Sequence, residues 1–135
     1  MDVLLVEDSQ PTERLIRMVV ESLGRSMSVA RAGDEAIEIL GKMRPRLVLL
    51  DMHLPRVGGL EVVRWIRNHE RLTALPVIAL TAHAMPGQPE AFLGAGCNDY
   101  MSKPIDTRQF ASVIRKYLDH PERTTEASPE EGLRE

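Results

Sequence analysis

Five residues from four distant points of the sequence could together bind a metal ion and a phosphoryl group. They are Glu7, Asp8, Asp51, Thr81 and Lys103. Three carboxylates in one place would repel one another unless a cation lay among them. Mg²⁺ is a hard cation that prefers oxygen ligands, with waters and phosphate completing its octahedron. A lysine ammonium is a compact positive charge suited to a phosphoryl oxygen. These residue types indicate phosphoryl chemistry, provided that the fold gathers them.

Short apolar runs beside the candidate residues predict buried strands. Residues 3–6, 47–50 and 77–80 are continuous runs of the kind found in parallel sheets covered on both faces, and weaker strands fit at residues 27–30 and 98–101. Apolar residues at helical spacing between these runs predict five helices. Alternating strands and helices joined by right-handed crossovers predict a doubly wound α/β fold with a five-stranded parallel sheet.

The carboxyl ends of the strands in such a sheet converge on one crevice, so this fold would bring the five residues together. Each acidic residue alone is equally well explained as a helix N-cap or a solvated loop residue. The joint pattern of an acidic pair, a single aspartate, a threonine and a lysine after successive strands is much harder to explain by chance.

Several residues mark the predicted element boundaries. Pro11 suits the first turn of the first helix, and Asp106 with Gln109 is similar to a capping box that opens the fifth helix. Gly58 and Gly59 fit a tight turn into the third helix, where glycine tolerates positive φ.

The chain has 135 residues, of which 43% are hydrophobic, which allows one compact core. We predict one domain at residues 1–118 and a disordered acidic tail at residues 119–135, which is poor in apolar residues.

The net charge is −3 and the arginines are scattered, so a nucleic-acid partner is not expected. The apolar runs are far shorter than the roughly 20 residues that span a bilayer, and the start lacks an export signal. A cytoplasmic protein without membrane contact is therefore expected. Cys97, the only cysteine, is predicted to be buried.

The motifs LLVED, LLDMHLP, VIALTA and YMSKP stand in the order and approximate spacing of a known family. Over about residues 2–118 the chain resembles the CheY-like receiver domain of response regulators. Within that family it looks most similar to stand-alone, single-domain regulators of the DivK type, through residues 59–85 and 95–105. Receiver modules of hybrid histidine kinases are also similar over IALTAHAM. The resemblance implies a flavodoxin-like (βα)5 fold with strand order 2-1-3-4-5.

The resemblance also implies the chemistry of the site. Asp51 would accept a phosphoryl group from a histidine of a sensor histidine kinase or a histidine phosphotransfer protein. Mg²⁺ would be held by Asp8, Asp51 and the backbone carbonyl of His53, with Glu7 acting through water. The Lys103–Pro104 bond resembles the family's cis peptide, although most X-Pro bonds are trans.

Further residues would translate phosphorylation into a change of shape. Lys103 would balance charge on the phosphoryl oxygens, and Thr81 would hydrogen-bond one of them. The ring of Tyr100 would then move into the space that Thr81 vacates. His53 and His83 flank the phosphoryl site and are candidates for tuning how fast phosphate is lost.

The predicted function is that of a phosphoacceptor in a two-component phosphorelay. Such a protein catalyses only its own phosphorylation and dephosphorylation. With a single domain and no output domain, it would signal by binding a downstream protein at the face formed by helix four, strand five and helix five.

Two other classes of function stay open from the residues alone. A phosphatase of the haloacid dehalogenase kind also places Asp, Thr and Lys around Mg²⁺. Its nucleophile lies on the first strand in a DxD pattern, whereas the first strand here ends in Glu7 and Asp8. An interaction module that never takes phosphate would not need Asp8, Asp51 and Lys103 together. A P-loop nucleotide enzyme is disfavoured because no GxxxxGK run is present.

Overall fold

The computed structural model describes residues 1–82 and 86–119, in which strands and helices alternate. The strands β1 to β5 are Val3–Val6, Met27–Ala30, Leu47–Asp51, Val77–Thr81 and Asp99–Ser102. The helices α1 to α5 are Gln10–Ser22, Gly33–Leu40, Gly59–Asn68, Gln88–Ala95 and Thr107–Leu118, and a short 3₁₀ turn at Glu70–Leu72 precedes β4. None of the helices in these residues combines the length and apolarity needed to cross a lipid bilayer.

The five strands form one parallel sheet in the order β2-β1-β3-β4-β5. This confirms the doubly wound fold that the sequence pattern predicted and the strand order that the resemblance implied. The chain winds in opposite directions from β1 and β3, which places a crevice at the carboxyl ends of these two strands. Val6 at the end of β1 pairs with Leu50 on β3, and Asp51 on β3 pairs with Leu80 on β4.

Every residue of β1, β3 and β4 is buried, because helices cover both faces of the sheet. Alternate strand residues such as Leu4 and Leu50 pack against α2 and α3, with Ile66 of α3 in the same cluster. The intervening residues, such as Leu5, pack against α1 and α5 around Phe110. Each large apolar side chain buried in this way stabilises the fold by roughly 1.5–3 kcal/mol. The two apolar layers hold the ends of the central strands in fixed positions.

Side-chain caps start the two helices that flank the crevice on one face of the sheet. The Ser9 hydroxyl accepts a hydrogen bond from the Thr12 N–H at 3.4 Å, and Pro11 lies in the first turn of α1, as predicted. The Asp106 carboxylate accepts hydrogen bonds from the backbone N–H groups of Arg108 and Gln109 and opens α5. Such caps typically stabilise a helix by about 1 kcal/mol.

Candidate functional site

The ends of four parallel strands place the predicted residues at one edge of the sheet. Glu7 follows β1, and its N–H donates to the Ala30 carbonyl at 2.9 Å. Asp51 ends β3 and Thr81 ends β4. Lys103 follows β5, and its backbone N–H donates to the Thr81 carbonyl at 2.8 Å. These backbone bonds fix the base of Glu7 against β2 and the base of Lys103 against Thr81.

Glu7, Asp8 and Asp51 form a carboxylate cluster at this edge. Each offers one oxygen, and these oxygens all lie within 4.8 Å of one another. Glu7 is fully buried and Asp51 is 4% exposed, whereas Asp8 is exposed to solvent. Opposite oxygen ligands of Mg²⁺ lie about 4 Å apart, which is close to this spacing. The cluster therefore fits a hard divalent cation that enters from the side of Asp8.

The Lys103 ammonium lies inside the same cluster. Its Nζ is 2.7 Å from Glu7 Oε1 and 3.6 Å from Asp51 Oδ2. The Lys103–Pro104 peptide bond is cis. The sequence predicted a lysine directed at a phosphoryl group on Asp51, and the structure also gives it a closer partner, Glu7.

The buried carboxyl of Glu7 is only partly compensated. Burial raises its pKa, and repulsion from Asp51 adds to the rise, whereas the Lys103 ammonium and the Ser9 N–H oppose it. Oε2 accepts the Ser9 N–H at 3.1 Å. Oε1 is buried and, apart from the Lys103 ion pair, has no hydrogen-bond partner among the described residues. A cation bound in the cluster would favour the ionised form of Glu7.

The Asp51 carboxyl is held from both sides. Its Oδ1 accepts the backbone N–H of His53 at 3.0 Å, and its Oδ2 faces Lys103. The donating His53 N–H belongs to the loop between β3 and α3, which begins directly after Asp51. The carboxyl therefore has a fixed orientation, with one oxygen beside an ammonium.

The side chain of His53 contacts the end of β4. Its imidazole Nε2 lies 3.0 Å from the Thr81 hydroxyl oxygen, and Thr81 itself is fully buried. The sequence indicated that His53 flanks the site, but it carried no signal for this hydrogen bond. The contact depends on how the loop after β3 folds back over the neighbouring strand.

The loop between β3 and α3 corrects one expectation. Gly58 has φ of −78°, and the residue with positive φ in this loop is Arg56, at 60°. Gly59 is needed for a different reason. A Cβ at this position would lie 2.7 Å from the Met52 Cα and 3.0 Å from the Asp51 carbonyl oxygen. The glycine therefore allows close packing against the chain segment that carries Asp51.

Of the two remaining candidates, the structure describes Tyr100 but not His83. Tyr100 lies on β5 paired with Ala79, two residues before Thr81, and is 37% exposed. His83 lies outside the described residues, as does all of the predicted tail except Asp119. Ser9 was not predicted as a site residue. Its N–H orients Glu7, and its only signal in the sequence is its place before α1.

Comparisons with known proteins agree with the resemblance found in the sequence. Residues 3–115 match the family model of the response regulator receiver domain. The polar-differentiation response regulator DivK of Brucella ovis is 40% identical over 116 residues, which cover 86% of this chain and 94% of that protein.

Two solved receiver domains of histidine kinases are also similar. One is from Syntrophus aciditrophicus, with 30% identity, a TM-score of 0.82, and coverage of 91% of this chain and 93% of that one. The other belongs to sensor histidine kinase PA1611 of Pseudomonas aeruginosa, with 32% identity, a TM-score of 0.80, and coverage of 87% and 97%. The PA1611 crystal structure has a magnesium ion coordinated in its active site cleft.

Proposed function

Because the chain belongs to the family of response regulator receiver domains, we propose that Asp51 is its phosphoacceptor. Receiver domains act in two-component signalling by interacting with histidine kinases or phosphotransfer proteins. The observation that carries the proposal is the position of the Asp51 carboxyl. It lies 3.6 Å from the Lys103 ammonium and shares the carboxylate cluster with Glu7 and Asp8, at the edge of the sheet.

The transfer moves one phosphoryl group from a donor phosphohistidine to an Asp51 oxygen. The P–N bond breaks, a P–O bond forms, and the histidine nitrogen keeps the electron pair of the broken bond. An ionised carboxylate has no proton to lose, so the reaction needs no general base. It depends mainly on positioning and electrostatic stabilisation.

The proposed cofactor is Mg²⁺, held by Asp8, Asp51 and the backbone carbonyl of His53, with Glu7 acting through water. When bound there, it neutralises charge on the phosphoryl oxygens. The carboxylate spacing and the partly compensated Oε1 of Glu7 support this assignment.

Lys103 and Thr81 complete the proposed machinery. The Lys103 ammonium, 3.6 Å from Asp51 Oδ2, would balance negative charge on a phosphoryl oxygen. The Thr81 hydroxyl donates a hydrogen bond to the new phosphoryl group. With these groups the domain catalyses only its own phosphorylation and dephosphorylation.

The proposed response is a movement of Thr81 and Tyr100. As Thr81 shifts toward the phosphoryl group, the ring of Tyr100 turns from its exposed position into the space behind it. The altered surface consists of α4, β5 and α5, where Leu93 is 44% and Tyr100 37% exposed. We propose that a downstream protein binds this face in the cytoplasm. His53 and His83 are the proposed tuners of phosphate loss.

The test is phosphorylation by acetyl phosphate with Mg²⁺, followed by intact-protein mass measurement. We expect one phosphoryl group per wild-type chain and none on Asp51→Asn. A matched control is Asp34→Asn, because Asp34 is an exposed carboxylate whose ion pair with Arg56 contributes little. Absence of any adduct on the wild-type chain would support the interaction module instead. Sustained turnover of phosphate esters would favour the phosphatase.

A further inference from the structure

The His53 imidazole contacts the Thr81 hydroxyl. Its Nε2 lies 3.0 Å from Thr81 Oγ1. Thr81 is fully buried, whereas His53 is exposed on the loop after β3. A surface side chain therefore holds a buried hydroxyl at the end of the neighbouring strand.

His53 contacts the site through two separate groups. Its backbone N–H donates to Asp51 Oδ1 at 3.0 Å, and only its side chain reaches Thr81. Its carbonyl, the proposed metal ligand, is also a backbone group. A side-chain substitution therefore removes the contact with Thr81 and leaves the backbone contacts of the site in place.

We propose that His53 is a positioning residue that holds the Thr81 hydroxyl in the unphosphorylated conformation. This inference rests on the proposed function, in which the same hydroxyl moves to a phosphoryl oxygen on Asp51. If the Thr81 hydroxyl donates to Nε2, its single proton cannot also go to a phosphoryl oxygen, and in either tautomer movement toward Asp51 draws the hydroxyl oxygen away from the imidazole. The switched conformation therefore forms only when the hydrogen bond to His53 is given up.

The hydrogen bond between His53 and Thr81 would bias the equilibrium between the unphosphorylated and the switched conformation toward the unphosphorylated one. A ligand shifts such an equilibrium only by its differential affinity for the two states, and a contact made in one state alone opposes that shift. The net contribution of a neutral hydrogen bond changes an equilibrium constant by about 2- to 10-fold. Loss of the imidazole should favour the switched state by a factor in this range.

The experiment measures binding of beryllium trifluoride, an anion that mimics the phosphoryl group, to the full chain with saturating Mg²⁺. His53→Ala is expected to bind it about 2- to 10-fold more tightly than wild type. His53→Gln, whose amide can still reach the hydroxyl, should return toward the wild-type affinity. The matched control is His69→Ala, because His69 is the C-cap of α3, at the end of the helix remote from the crevice, where its ring lies tilted against Trp65.

A double-mutant cycle with Thr81→Ala separates this role from a general structural one. In the Thr81→Ala background, His53→Ala should produce no further change in affinity. Amide chemical shifts of β5 should lie nearer the switched state in His53→Ala before any anion is added.

The outcomes distinguish a failure of the His53 inference from a failure of the proposed function on which it rests. Wild-type protein that binds the anion while His53→Ala binds it equally or more weakly would overturn the inference alone. An effect of His53→Ala that persists without the Thr81 hydroxyl would also overturn it. Wild-type protein that binds no beryllium trifluoride and takes no phosphoryl group would overturn the proposed function, and the inference with it.

Discussion

The ammonium of Lys103 forms a 2.7 Å ion pair with the fully buried carboxylate of Glu7. The same carboxylate belongs to the cluster that fits a divalent cation. An ammonium and a metal ion in one cluster repel each other, and both neutralise the same acidic groups. Lys103 therefore limits how strongly the cluster attracts a cation, while it keeps Glu7 compensated when no cation is bound.

Replacing Lys103 by Met should strengthen Mg²⁺ binding by about 3- to 10-fold, because the substitution removes a positive charge near the carboxylates but retains a side chain of similar length. The same variant should no longer couple phosphorylation to a change in α4. Calorimetric titration gives the affinity, and amide chemical shifts report the coupling. Lys42→Met is the control, since it removes the same charge from an exposed position remote from the crevice. Weaker Mg²⁺ binding by Lys103→Met would contradict this view of the ion pair.

The strand pattern predicted the central sheet and the gathering of the site residues, because apolar runs buried on both faces leave little choice of element or order. It misplaced β5 by one residue. The Asn98 side chain, rather than a strand backbone, accepts the N–H of Val77 at 2.8 Å, and β5 begins at Asp99. A side chain that substitutes for a backbone partner at a strand end leaves no periodic signal.

Contacts between loops and strand ends could not be predicted from the sequence either. The imidazole of His53 reaches Thr81 only because the loop after β3 bends over β4, and that bend includes positive φ at Arg56. A sequence pattern favours glycine for positive φ, so Gly58 was the natural but wrong expectation. Residue types predicted which side chains lie close together at the edge of the sheet, whereas the loop backbone determines which of them form hydrogen bonds.

Replacing Gly59 by Ala should destabilise the protein by about 1–3 kcal/mol, because the new Cβ would lie 2.7 Å from the Met52 Cα and force the loop outward. Phosphorylation by acetyl phosphate should slow as well, because the new Cβ would also lie 3.0 Å from the Asp51 carbonyl oxygen and would displace the residue that carries the acceptor carboxyl. Urea unfolding and intact-protein mass measure the two effects. Gly94→Ala is the control, because nothing lies within 4 Å of its added Cβ. It should be neutral or stabilise α4 by up to about 1 kcal/mol. Equal losses in both variants would argue against the contact.

Replacing Arg67 by Met should destabilise the protein by about 2–4 kcal/mol. Its guanidinium donates to the carbonyls of Gly96 at 2.7 Å and Leu75 at 2.7 Å, and to Asn98 Oδ1 at 2.8 Å. These bonds join the end of α3 to the segments that precede β4 and β5, and their loss leaves partly buried acceptors unpaired. The midpoint of urea unfolding, compared at constant slope, measures the change.

The control for Arg67 lies one turn earlier on the same helix. Arg64 is exposed, so Arg64→Met should change the free energy of unfolding by less than about 0.5 kcal/mol. A similar loss in both variants would mean that the helix, rather than the hydrogen bonds of Arg67, is sensitive to the substitution.

The thiol of Cys97 should make the protein less stable at high pH. Burial raises its pKa from 9.0 to about 11, with Arg67 opposing the rise, and the residue is 5% exposed. Between these two values the folded chain keeps a proton that the unfolded chain has lost. Raising the pH from 9 to 11 should therefore lower the free energy of unfolding by about 2 kcal/mol through this group. Cys97→Ala keeps every other titrating group and lacks the thiol, so the wild-type minus variant difference in urea unfolding isolates the effect. A difference that stays constant over this interval would show that the folded protein accommodates the thiolate.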